Sequence, residues 1–118
     1  MKKEIAERWV EALRSGKYEQ GRHELRGGDK FCCLGVLCDI SGLGAFDKFG
    51  EYYIGHLGWD SVTPPGVMTW SGLAQELGAL PKQMRIGGQR VTSLADANDQ
   101  GVRFSSIANF IEKNYEVL

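Results

Sequence analysis

The sequence predicts a small α+β fold, mostly helical, with a short antiparallel hairpin. Three observations carry this expectation. Ile5, Trp9, Val10 and Leu13 recur at helical spacing within residues 2–15. Gly87-Gly88 stands between strand-like residues 83–86 and 89–92, the pattern of a two-residue primed turn. Sixteen glycines in 118 residues demand many tight turns and short elements. The length suits one domain, 1–118, around one core.

The elements follow in order. In the first helix, 2–15, Glu4 and Glu7 lie near the start and Arg14 near the end, complementing the helix dipole. Ser15-Gly16 closes it. Residues 18–26 have no helical period and read as a loop leading into a strand at 23–26. Gly27-Gly28-Asp29 then turns the chain. From here two readings stay open. In one, Asp29 caps a helix whose first turn holds Cys32. In the other, residues 30–32 pair with 23–26 and the helix begins at Cys33 or Leu34.

The run from Phe31 to Ser41 is apolar almost all round and ends at Gly42, as a central core helix would. Residues 43–60 are rich in glycine and aromatics and read as a loop with one strand at 52–56. Thr63-Pro64-Pro65-Gly66 punctuates the chain, and Pro65 suits the first turn of a helix across 67–77 that stops at Gly78. After the hairpin, Ser93 caps a helix over 94–99 that Gly101 ends. Ser105 or Ser106 caps a last helix, 107–115, that buries Ile107, Phe110 and Ile111.

Composition excludes several functions. With 42% hydrophobic and 25% charged residues, the chain is globular rather than disordered. A net charge of −1 and an isoelectric point near 6.1 supply no field toward DNA or a membrane surface. No segment approaches the ~18 apolar residues of a membrane span. Acidic residues stand where a signal peptide needs an apolar run, so a cytoplasmic location and reduced thiols are expected. Three cysteines, an odd number, do not make a disulfide framework.

The thiols allow one catalytic reading. With Asp29 as cap, Cys32 lies near the positive end of the helix, where a thiol ionises more readily. A Cys-His hydrolase would pair Cys32 or Cys33 with His56, the more distant of two histidines; Gln20 would serve an oxyanion, and Asn98 or Asp99 would orient the imidazole. The bland reading is stronger: Cys32, Cys33 and Cys38 fill core space, and Gly35 lets another element approach closely. A zinc site from these cysteines and His56 is disfavoured, because adjacent helical cysteines point about 100° apart. No metal and no cofactor are expected.

Charge points elsewhere. Residues 14–30 hold five cations against three acids, and 82–90 hold Lys82, Arg85 and Arg90 with none. Arg85 and Arg90 on one hairpin face, beside glycine amides, are the groups that recognise phosphate. Gln20 and Arg26 would add polar contacts. Trp9, Tyr18 and Tyr53 would wall a base.

Two stretches carry a resemblance. One runs from Trp9-Val10-Glu11-Ala12-Leu13-Arg14-Ser15-Gly16 through Tyr18, Gln20 and Gly21 to Phe31-Cys-Cys-Leu-Gly-Val-Leu-Cys-Asp39. The other joins Leu94, Asn98, Asp99, Gly101, Phe104, Ile107 and Phe110-Ile111-Glu112. Together they resemble a family of small proteins of tailed phages and prophages. The resemblance implies a phage origin, hence a place in the cytoplasm of a bacterial host and a role against bacterial defences. The expectation is a non-enzymatic protein that sequesters a small phosphorylated, nucleotide-derived signal, with homo-oligomers as one way to build the site. The alternatives are a Cys-His hydrolase of such a signal and an inhibitor that covers a host defence protein. Neither membrane nor sequence-specific nucleic acid is expected as partner.

Overall fold

The structure, a computed structural model, describes residues 1–118. Helix α1 (Lys3–Arg14) buries Ile5, Ala6, Trp9, Val10 and Leu13, the predicted stripe. A three-stranded sheet follows, formed by β1 (Glu19–Gln20), β2 (Arg26–Gly27) and β3 (Lys30–Phe31) in the order β1-β3-β2. β3 runs parallel to β1 and antiparallel to β2. Helix α2 (Cys33–Ser41) then crosses the core, with every residue from Cys33 to Cys38 buried. Strands β4 (Ala45–Phe46), β5 (Tyr52–Ile54) and β6 (Leu57–Trp59) form an antiparallel meander. Tyr52 pins it to α2, donating to the Cys38 carbonyl at 2.9 Å and accepting from the Gly44 amide at 2.8 Å.

Helix α3 (Pro65–Ser71) leads to the hairpin of β7 (Ala79–Ile86) and β8 (Gln89–Ser93). Gly87 and Gly88 both take positive φ, 58° and 82°, as a primed turn requires. Helices α4 (Leu94–Asp99) and α5 (Phe104–Asn114) complete the fold, with a short 3₁₀ turn at Tyr115–Val117. One continuous core gathers α1, α2, α4, α5 and the inner faces of the strands. The α+β class holds; helix makes up 41% of the chain, the largest share but not a majority.

Four local expectations are corrected. Cys32 is not inside a helix capped by Asp29: it is itself the cap, its Sγ accepting from the Gly35 amide at 3.4 Å, and Lys30–Phe31 is a strand. The second of the two open readings is therefore the right one. His23 does not begin a strand: its φ of 70° is a left-handed turn, and the strand starts at Arg26. Helix α3 stops at Gly72 (φ 77°) rather than Gly78, because the Ala74 amide donates to the Leu118 carbonyl, 2.8 Å away, instead of continuing the helix. Helix α5 begins at Phe104 because Gln20 Oε1, 84 residues upstream, accepts from the Phe104 amide at 3.0 Å. No serine caps it.

Candidate functional site: a cationic seam between hairpin and helix

The three thiols are free and buried. Cys33 and Cys38 are fully buried and Cys32 is 6% exposed. Cys33 Sγ donates to the Leu94 carbonyl at 3.6 Å. Burial pushes Cys32 up to about 11 and raises Cys33 and Cys38 as well. His56 lies exposed in the β5–β6 turn, joined to Cys32 by no contact. The proposed Cys32–His56 pair is not formed. It is His23 that meets a carboxylate: its amide donates to Asp99 Oδ1 at 2.8 Å, and its Nδ1 lies 3.4 Å from Asp99 Oδ2.

The raised thiols make a pH prediction. In the unfolded chain Cys32 ionises near its ordinary value of 9.0, while in the folded chain it keeps its proton to about 11. The folded state binds more protons in between, so stability is intact below 9.0 and falls as pH rises through about 11. The loss approaches about 1.4 kcal/mol per pH unit for each such thiol. Denaturant unfolding in reductant on either side of this window checks it. A flat profile, or native thiols alkylated as fast as free cysteine, would contradict the assignment.

The residues expected to bind ligand do not converge. Trp9 is fully buried, its indole donating to the Cys33 carbonyl at 2.8 Å, so it is no wall of a site. Gln20 spends its amide inside the fold, donating to Asn98 Oδ1 at 3.0 Å and the Val102 carbonyl at 2.7 Å while Oε1 caps α5. Asn98 in turn accepts from the Cys33 amide at 3.1 Å and donates to the Gly21 carbonyl at 2.8 Å. Tyr18 donates to Asp39 and sets its ring edge on Phe31, centroids 5.0 Å apart. Arg26 lies over Phe31 and Phe46, with Nε donating to the Gly28 carbonyl at 2.9 Å and a guanidinium nitrogen 3.6 Å from Asp29. Tyr53 donates to Glu51 at 3.0 Å on β5. Only Arg85 and Arg90 come together, as direct cross-strand partners, both exposed.

Beside a cleft of about 250 Å³ where Arg8, Lys17 and Tyr18 meet Glu11, two clefted regions remain. The larger, of about 870 Å³, lies against α1 and the end of α5. Its walls carry Lys3, Arg14 and Lys17 against Glu7, Glu11 and Glu112, and Arg14 is already bound to Glu112 at 2.9 Å. A multiply charged anion would meet as much repulsion as attraction there. The second region is the seam where the hairpin tip lies on α5. A cleft of about 250 Å³ is lined by Gln89, Gln100 and Arg103, and a neighbouring one of about 190 Å³ by Arg85, Asn109 and Lys113. Gly87 and Ser106 belong to both, and no carboxylate lines either.

The charge at this seam is uncompensated. Arg103 occupies the N-cap position of α5, where Gln20 and not its own side chain caps the helix, and so places a cation at the positive end of a helix dipole. Arg85 faces Arg90 directly across the hairpin, a like-charge pair that weakens a sheet. Both arrangements cost a few tenths of a kcal/mol or more unless an anion sits nearby. Sequence reasoning found Arg85 but missed Arg103, Ser106 and Lys113. It assigned the serines to capping, and only the true start of α5 frees Ser106.

Fold and seam define a class: a small α+β domain with an acid-free cationic groove on its surface. The chain belongs to the family described as Domain of unknown function (DUF8296), whose model matches residues 1–115. No curated protein and no solved structure matches it.

Proposed function

We propose that this domain is a phage accessory protein that takes up a small phosphorylated, nucleotide-type molecule at the hairpin–α5 seam and holds it, withdrawing a defence signal from the cytoplasm of a bacterial host. The observation that carries this reading is the concentration of uncompensated positive charge at the seam, from Arg85, Arg103 and Lys113, within clefts that contain no acid. Arginine forks are suited to phosphate oxygens. Holding rather than cleaving fits three buried, proton-retaining thiols.

A second reading has its own observation. Phe49 is 79% exposed and Leu57 65%, with Leu43 and Tyr53 also exposed along the β4–β6 region. Large apolar side chains left exposed in one region suit a protein partner, as in an inhibitor that covers a defence enzyme.

Calorimetry against nucleotides and nucleotide-derived signals, followed by chromatography of the recovered ligand, tests the first reading. Binding is expected at micromolar protein, weakened at least about tenfold by Arg103→Ala and by added salt, with the ligand recovered unchanged. Absence of heat across the panel would remove the reading. If, in addition, a stoichiometric host protein is captured and lost on Phe49→Ser, the second reading replaces it.

A further inference from the structure

We infer that the seam is a two-point anion site, whose ligand carries two phosphate groups held apart by a neutral spacer, as in a nucleoside bisphosphate or a dinucleotide. This rests on the phosphate-binding reading above and specifies its ligand class. The first argument is size. At about 250 and 190 Å³, neither cleft reaches the ~300 Å³ at which small-molecule pockets begin, while the two joined do. Each is a subsite, and the natural occupant spans both.

The second argument is the distribution of charge. Each cleft has its own cation, Arg103 in one and Arg85 with Lys113 in the other. A ligand with one anionic end satisfies one subsite and leaves the other uncompensated.

The third is the polar inventory between and beside the cations. Asn109 Oδ1 is taken by Arg14 at 2.7 Å, so its Nδ2 is the atom left to donate in the second cleft. Gln100 gives Nε2 to the Arg90 carbonyl and to Asp96, so its Oε1 is left to accept in the first. An acceptor repels phosphate but suits a hydroxyl or an amine, the groups that a neutral spacer carries.

The divide between the clefts is fixed. A Cβ on Gly87 would lie 2.8 Å from Val102 Cγ1 and 3.4 Å from Ser106 Cβ, so the bare glycine backbone rests on Val102 and the first turn of α5. Gly87 and Ser106 line both clefts, so a ligand that reaches from one to the other crosses only this contact. Nothing aromatic walls the seam except Phe110, which is buried, so affinity resides in the two charged ends rather than in base stacking.

The test compares three probes on the full chain at low salt: AMP, ADP, whose two phosphates share one end, and an adenosine bisphosphate with phosphates on separate ribose hydroxyls. The bisphosphate is expected to bind at least about tenfold more tightly than AMP or ADP. Arg103→Ala and Lys113→Ala, both at exposed positions and checked by thermal melting, are each expected to erase that advantage. Equal affinity for the three probes, or an advantage untouched by Lys113→Ala, would overturn the two-point site while leaving a phosphate-binding function standing. If none of the three binds, the two-point site fails, and the wider nucleotide panel decides the broader reading separately.

Discussion

Gly35→Ala is expected to destabilise the domain severely. In an ordinary helix interior the same change is worth up to about 1 kcal/mol of added stability. At this position the new methyl would be driven into the Leu25 carbonyl oxygen and stand 2.7 Å from its carbon. The obstacle is backbone, and it has no freedom to retreat. Leu25 is fully buried, its amide donates to the Asp60 carbonyl at 2.7 Å, and its own carbonyl accepts from the Cys32 amide at 3.2 Å. Separating α2 from this segment disturbs both bonds and the cap of α2. A loss of about 3 kcal/mol or more is expected, a large part of the 5–15 kcal/mol that holds a typical domain. Urea unfolding measures it, and a variant with a wild-type midpoint would show that the approach is looser than described.

The second large effect is expected at Asn98. Its side chain is fully buried and serves three partners from distant parts of the chain: the Gln20 amide, the Cys33 amide and the Gly21 carbonyl. Asn98→Leu keeps the approximate volume but strands these groups, each at about 1–3 kcal/mol, so a total loss above about 3 kcal/mol is expected. Asn98→Asp separates geometry from charge. Its carboxylate would turn an acceptor toward the Gly21 carbonyl, whereas the protonated acid restores a donor. The folded state therefore binds the proton more tightly than the unfolded chain, and stability is highest at low pH and lost as pH rises. A leucine variant within about 1 kcal/mol of wild type, or an aspartate variant with no such pH dependence, would show that the network is dispensable.

Legibility in the sequence followed the range of the interaction. The stripe of α1, the Gly87-Gly88 turn and the Ser93 cap, whose Oγ accepts from the Asp96 amide at 2.9 Å, are written within a few neighbouring residues. The parallel pairing of β1 with β3, the stop of α3 and the start of α5 depend on partners far away, Leu118 and Gln20 among them, and no local pattern announces these. The same division explains the site. Gln20 and Asn98 drew notice as polar residues with chemical potential, but a polar side chain reads alike in sequence whether it faces a ligand or ties two segments together. Arg103, Ser106 and Lys113 were missed because their common groove exists only once the hairpin tip rests on α5. Arg85 was found because charge within one hairpin is a local property.

The Gln20–Asn98 network also sets the order in which this protein can be completed as it leaves the ribosome. Its bonds link residues 65 to 84 positions apart. When α2 emerges, its first amide and the glutamine of β1 have no partner, and Leu34, Val36 and Leu37 have α1 beside them but neither α3 nor α4. That partner arrives only with Asn98, and the cap of α5 closes later still. Synthesis must run on from α2 through Asn98 and Phe104 before the most apolar helix is sealed, so until then that helix is the segment a chaperone would hold.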